Sequence, residues 1–218
     1  MARKRRSSDP VEQVDEHPVH VSKRLRLNGS QERACEAVRE YPVSCFIGNA
    51  GTGKSFVALY MARELLQNGD AVKVVVVRSP LEVSRGKCGY IPGDLAAKMA
   101  PWAASSFAIA KELGIDKNLE IFPLSFIQGM TFTDTVVIVE ECQSLTLPEF
   151  EAVVTRLGLG STMIFTGDPH QDLARSNGLV PFLERMENVR SVAIVRFDPK
   201  DNQRHPVVRE ICEALWND

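Results

Sequence analysis

Residues 43–55 read VSCFIGNAGTGKS, and no other stretch limits the fold of this chain as tightly. A short apolar run suited to a buried strand enters a turn rich in glycine. The turn passes directly into a helical pattern in which Val57, Ala58, Leu59 and Met61 supply the apolar positions. The glycines let the backbone turn tightly and aim several N–H groups inward, where the positive end of the following helix adds to them. Such a loop cradles phosphate oxygens. The pattern G-x-x-x-x-G-K-[ST] is complete in Gly48, Gly53, Lys54 and Ser55. Gly48, Asn49, Ala50, Gly51, Thr52, Gly53, Lys54 and Ser55 are therefore the candidate nucleotide-binding residues. Lys54 is expected to reach the β- and γ-phosphates, and the Ser55 hydroxyl to ligate Mg²⁺.

A second stretch, VIVEECQSL, raises a question of its own. An apolar strand, Val136 to Val139, ends in two adjacent acids, Glu140 and Glu141. Beside a phosphate loop, one acid at the end of a second strand holds Mg²⁺ and a neighbour orients the attacking water. Glu140 is the expected metal residue and Glu141 the expected general base, with Gln143 as a third contact. A further strand, TMIF, runs into TGDPHQ over 166–171. Asp168 and Gln171 then fall on the sheet edge where parallel α/β proteins bind ligands, and Gln171 can sense the γ-phosphate through a hydrogen bond.

The rest of the chain supports an α/β reading. Val72 to Val77 is nearly all β-branched, as in a strand buried on both faces of a parallel sheet. Strands are also predicted at 43–47, 119–124, 135–139, 162–165 and 191–197. Helices are predicted from Ser30 as N-cap, over 54–67, over 94–113 with a break near Pro101, near 148–157 and 178–187, and over 205–216. Alternating strands and helices imply right-handed βαβ units and one mainly parallel sheet covered on both sides. Residues 1–27, with RKRR at 3–6 and KRLR at 23–26, read as a flexible basic arm before a single globular domain over 28–218. The whole-chain net charge is only −2, so composition alone points to no nucleic-acid partner. Five scattered cysteines without a CxxC pair fit reduced thiols in the cytoplasm and argue against a zinc site. HPVH at 17–20 lacks partner ligands. No apolar run approaches the ~20 residues of a membrane span, and no secretory leader is visible.

With these motifs in order, the sequence resembles the PhoH family of P-loop ATPases, which are similar to the first RecA-like motor domain of superfamily 1 helicases. The resemblance runs from about Asn28 to Trp216 and is carried by GNAGTGKS, GYIPGD (89–94), KMAPW (98–102), VIVEECQ, TRLGLGS (155–161), TGDPHQ and RHPVVREI (204–211). It implies a three-layer P-loop NTPase that binds and hydrolyses ATP with Mg²⁺, coupled to RNA or single-stranded DNA. It further implies a ring of identical subunits, a hexamer by family likeness. Gln31 matches a position that reads adenine in related helicases; an exposed helical Gln is the alternative. Arg78 matches an arginine near the nucleotide or nucleic-acid path. Arg204, before His205, matches an arginine able to clamp the γ-phosphate in cis or from a neighbour, or one that merely caps the last helix.

Three departures stand out. Glu140 replaces the usual Asp, one methylene shorter; Gln128 and Met130 replace two arginines of the family; and Ser55 replaces the commoner Thr. Arg85, Lys87, Lys98 and Lys111, with Tyr90 and Trp102, could track and stack a single strand, or form a solvated rim. Two other function classes stay open. One is a nucleotide-gated binding module with negligible turnover, favoured by the departures. The other is a P-loop kinase, disfavoured because no compact Arg-rich lid is visible.

Overall fold

The computed structural model of the chain describes residues 26–78, 95–171 and 178–203, except for the side chains of 95–102; beyond these, residues 207, 211 and 214 are helical. The arm expected over 1–27 thus lies outside the described residues apart from Arg26 and Leu27, of which Leu27 packs on the core.

Six strands form one sheet: β1 (Val43–Ile47), β2 (Lys73–Arg78), β3 (Leu119–Pro123), β4 (Thr135–Glu140), β5 (Thr162–Gly167) and β6 (Val192–Arg196). Their order across the sheet is β3-β2-β4-β5-β1-β6, and every pairing is parallel. Among the described residues five helices cover it: α1 (Gly29–Glu40), α2 (Lys54–Asn68), α3 (Leu95–Leu113), α4 (Leu147–Val154) and α5 (Leu179–Met186). The three-layer α/β architecture expected from the sequence is the one observed.

Strand alternation sorts the core into two halves. Phe46, Val74, Val76, Val136, Ile138 and Ile164 face α1, α2 and α3. Cys45, Ile47, Val75, Val77, Val137, Val139, Met163 and Phe165 face α4 and α5. Both faces are apolar because both are covered, so the central strands read as unbroken hydrophobic runs rather than as alternations. On the second face Phe150 stacks on Phe182 with ring centroids 4.1 Å apart, and both tilt against Phe165 at 5.5 and 5.3 Å.

Two expectations need correction. The N-cap of α1 is Asn28, not Ser30. The Asn28 side chain accepts the Gln31 N–H at 2.9 Å and the Gln31 side chain accepts the Asn28 N–H at 3.1 Å, a reciprocal capping box. Ser30 lies inside the first turn, where its hydroxyl accepts from Arg33 and from the Asp198 N–H. Nor does Pro101 break α3, which runs on from Leu95 to Leu113. Proline removes one bond of the helical ladder, but beyond it Ala103, Ser106 and Ala110 are buried at helical spacing and hold the helix down. The helix expected over 205–216 lies outside the described residues save for the three named positions.

Replacing Phe150 by Ala empties the middle of the aromatic trio and should cost about 3–5 kcal/mol in urea unfolding. Burial pushes the Cys35 thiol up to about 11 and the Cys45 thiol up to about 12, from an ordinary value of 9.0. The sign follows from proton binding. Above the ordinary thiol value the unfolded chain loses these protons first, so stability that is fully present below pH 9.0 should drain away as pH rises through about 11. Unfolding midpoints measured from pH 8 upward, compared with those of Cys35→Ser, check this.

Candidate functional site

The site forms where the C-terminal ends of β1, β5 and β4 reach one edge of the sheet. β5 lies between the other two, and its Gly167 pairs with Ile47. The loop after β1, the turn after β4 and the turn after β5 therefore converge on one cavity of about 300 Å³. Ala50, Gly51, Gly53, Lys54 and Ser55 line one side, and Glu141, Gly167, Asp168 and Gln171 line the other. Ile109 of α3 and Phe56 add apolar wall.

Helix α2 begins at this cavity. Its N-cap is Gly53, in the left-handed region at φ 88°, and no side chain caps it. No side chain of the cap therefore competes with an anion at this end, where the helix dipole favours negative charge. The left-handed backbone favours glycine here, and a Cβ would meet Gln31 Nε2 at 2.5 Å, so the Gln31 amide would have to move off the Thr52 carbonyl. Lys54 Nζ donates to the Gly48 and Asn49 carbonyls at 2.6 and 2.7 Å, which lays the ammonium across the loop it serves. Thr52 closes the loop by donating to the Asn49 carbonyl at 2.9 Å.

Gln31 is buried rather than exposed. Beyond its role in the cap, its Nε2 donates to the Thr52 carbonyl at 3.3 Å. The side chain therefore braces the phosphate loop from α1, and it does not line the cavity.

The two acids diverge. Glu140 ends β4 on the same face as Val136 and Ile138, pointing toward the helix layer that contains α3. Only 4% exposed, it accepts from Ser106 Oγ at 2.8 Å, and Arg78 NH1 lies 3.7 Å away. Both contacts fall on Oε2. Glu140 does not line the cavity; Glu141 does. Glu141 adopts the left-handed conformation at φ 52° and ψ 42°, a costly backbone for a non-glycine residue. The turn after it holds it there, since the Ser144 N–H and hydroxyl both donate to the Glu141 carbonyl, at 3.0 and 2.7 Å. Its carboxylate accepts Gln143 Nε2 at 2.6 Å on one oxygen and faces Arg78 NH2 at 3.6 Å on the other. Arg78, opposite Glu140 in the β2–β4 register, thus stands between the two carboxylates.

Gln143 is buried and works at both ends of its amide. Besides donating to Glu141, its Oε1 accepts the Asp168 N–H at 3.1 Å. Gly167 makes room for this contact, because a Cβ there would come within 3.2 Å of Gln143 Oε1 and 2.5 Å of Cys142 Sγ. The Asp168 carboxylate accepts the Ala50 N–H and Gln171 Nε2, each at 2.9 Å.

The structure thus gathers Lys54, Ser55, Glu141, Gln171 and the loop residues Ala50, Gly51 and Gly53 around one cavity, with Gln31 and Glu140 in supporting contacts behind it. Arg204 and His205 lie outside the described residues, as do Arg85, Lys87 and Tyr90 and the side chains of Lys98 and Trp102. Lys111 is exposed. Ser106 was not singled out in the sequence. The signal was available: a lone serine between Ala103 and Ala110 on a buried stripe, on the layer toward which strand parity aims Glu140.

The family model for PhoH-like protein matches residues 25–216. The PhoH-like protein of Bacillus subtilis (strain 168) is 33% identical over 215 residues, covering 93% of this chain and 67% of that protein. The PhoH-like protein of Synechocystis sp. is 34% identical, covering 84% of this chain and 60% of its own length. Protein PhoH of Escherichia coli (strain K12) is 30% identical, covering 98% of this chain and 60% of its own length. The chain therefore spans 60% to 67% of these relatives. Among solved structures, the large terminase of a thermophilic bacteriophage superposes with a TM-score of 0.61 at 10% identity, over 89% of this chain and 51% of that one. That likeness is one of fold alone.

Glycine at position 53 gives a direct test. Gly53→Ala should weaken nucleotide binding by at least about tenfold, because relief of the ~1–2 kcal/mol of left-handed strain and of the contact with Gln31 would pull the loop N–H groups out of place. Gly69→Ala carries the same left-handed strain at the far end of α2 but meets no atom within 4 Å, so it should lower stability and leave binding intact. Titration with a fluorescent nucleotide separates the two.

Proposed function

The chain belongs to the PhoH-like protein family, and we propose that it binds MgATP and hydrolyses the β–γ phosphoanhydride by attack of water. The observation that carries this reading is the meeting, on one cavity, of an uncapped helix N-terminus bearing Lys54 and Ser55 with a Glu141 carboxylate fixed by Gln143 and Arg78.

The residues present suit the ligands. The loop N–H groups and Lys54 offer donors to phosphate oxygens. Ser55 and Glu140 offer the oxygen ligands that a hard cation prefers, and the Ser106 and Arg78 contacts to Glu140 fall on one oxygen only. Bound Mg²⁺ would supply charge neutralisation at the β- and γ-phosphates. Glu141 holds the attacking water and takes its proton as the new P–O bond forms and the bond to the ADP oxygen breaks. Lys54 draws charge off the departing phosphate, and Gln171 orients the γ-phosphate by hydrogen bonding. Gln31 keeps the loop in shape and, by family likeness, lies next to the adenine. Arg204 is proposed to clamp the γ-phosphate, from the same chain or from a neighbour.

Family likeness extends the proposal to coupling with RNA or single-stranded DNA, to a head-to-tail homo-oligomeric ring, a hexamer, and to work in the cytoplasm. The free buried thiols Cys35, Cys45 and Cys142 are consistent with that compartment. No described helix is long and apolar enough to cross a membrane. One observation favours a second reading, a nucleotide-gated binding module with slow turnover. Glu140, the proposed metal residue, is already engaged by Ser106 and Arg78 and stands off the cavity.

Phosphate release from MgATP, with and without single-stranded RNA and DNA, tests the reading. The wild-type chain should release phosphate, faster with a polynucleotide, and Glu141→Gln should lower release by about 100-fold or more while still binding ATP. ATP binding with no release under any condition would establish the gated module instead.

A further inference from the structure

Asp168 places a carboxylate at a candidate phosphate site. Its carboxylate is buried in the wall of the cavity, 3% exposed. Oδ2 accepts the Ala50 N–H and Gln171 Nε2, each at 2.9 Å, and Oδ1 accepts the His170 N–H at 3.1 Å. The Ala50 N–H belongs to the loop whose amides serve phosphate oxygens, at the end of the cavity that Glu141 and Gln171 line. On the reading of this cavity as a nucleotide site, on which this inference rests, that end receives the terminal phosphate. The carboxylate and a γ-phosphate compete there for one N–H, and two like charges so close repel each other strongly in a partly desolvated wall. A diphosphate leaves that end to Asp168.

We propose that Asp168 determines the discrimination between nucleoside triphosphate and diphosphate. With a diphosphate bound, its carboxylate keeps both the Ala50 N–H and the Gln171 amide. A terminal phosphate displaces Oδ2 from Ala50, and the Gln171 amide, losing its partner, turns to the phosphate oxygens. The residue is tied to the chemistry through its own backbone. The Asp168 N–H holds Gln143 Oε1 at 3.1 Å, and the other end of that amide holds Glu141 at 2.6 Å. A shift of Asp168 is therefore felt at Glu141 through one buried side chain bonded at both ends. The exchange costs the triphosphate part of its binding energy, so the wild-type chain should favour the diphosphate more than its phosphate loop alone would dictate.

Titration calorimetry of the full chain with MgADP and with the non-hydrolysable MgAMP-PNP reads this as a ratio of affinities. Asp168→Asn keeps the shape and removes the charge, and should move the ratio toward the triphosphate by about tenfold. Gln171→Met leaves the Asp168–Ala50 bond in place but removes the amide that is to be released. It should move the ratio the other way, a movement that reports on Gln171, whereas the Asp168→Asn ratio decides the role of Asp168. Opposite movements support the proposal. Variants that leave the ratio unchanged, or weaken both nucleotides alike, would overturn it and reduce Asp168 to a framework residue of its turn. Should Asp168→Asn fail to fold, Asp168→Ser, which removes the charge with a smaller side chain, decides in its place. A wild-type chain that binds neither nucleotide would overturn the reading of the cavity and this inference together, whereas binding with an unmoved ratio overturns this inference only.

Discussion

The position of β5 between β1 and β4 governs the rest of this molecule. Parallel strands all present their C-terminal ends to the same edge, so a loop after β1 and an acidic turn after β4 open on the same side. They are nonetheless two strands apart, and strands in a sheet are spaced by about 4.8 Å. The end of β5 fills the gap. Gly167 and Asp168 touch the acidic turn through Gln143 and the phosphate loop through Ala50. Remove the residue between them and the two halves of the site have no hydrogen-bonded link of this kind.

Charge balance follows from the same geometry. Glu140 is buried, and a buried carboxylate must be paired or hydrogen-bonded. Ser106 supplies the hydrogen bond and Arg78 the positive charge. Arg78 is itself shared with Glu141, whose carboxylate is half open to solvent. The Arg78 contacts, at 3.6 and 3.7 Å, are long for charge-assisted hydrogen bonds, so Arg78 acts on the pair mainly as a nearby charge. The family's aspartate would be one methylene short of the reach that Glu140 uses to meet α3. The substitution thus has a visible structural use in this chain, a tie between the central strand and α3.

Much of this was legible in the residues. GNAGTGKS fixed a strand, a loop and a helix start, and the β-branched runs fixed a sheet buried on both faces. Strand parity also carried information that reading by motif alone passed over: Val136, Ile138 and Glu140 share a face, so Glu140 had to meet a helix. The cap of α1 was written in Asn28 and Gln31, three residues apart, yet Ser30 lay between them and is as good a capping residue by type. Pro101 misled because a local rule about proline was outweighed by burial farther along the same helix. The bond from Ala50 to Asp168 joins residues 118 positions apart, and no local pattern announces such a contact.

The left-handed backbone at Glu141 has a consequence for how this chain can change. Relaxing that conformation with Glu141→Gly would relieve strain of about 1–2 kcal/mol while deleting the carboxylate that faces the cavity. Stability and chemistry therefore pull in opposite directions at this one position. A library sorted only for heat resistance would drift toward chains that keep the nucleotide pocket and lose the acid, so a glutamate at this position can be held only by selection on what the acid does.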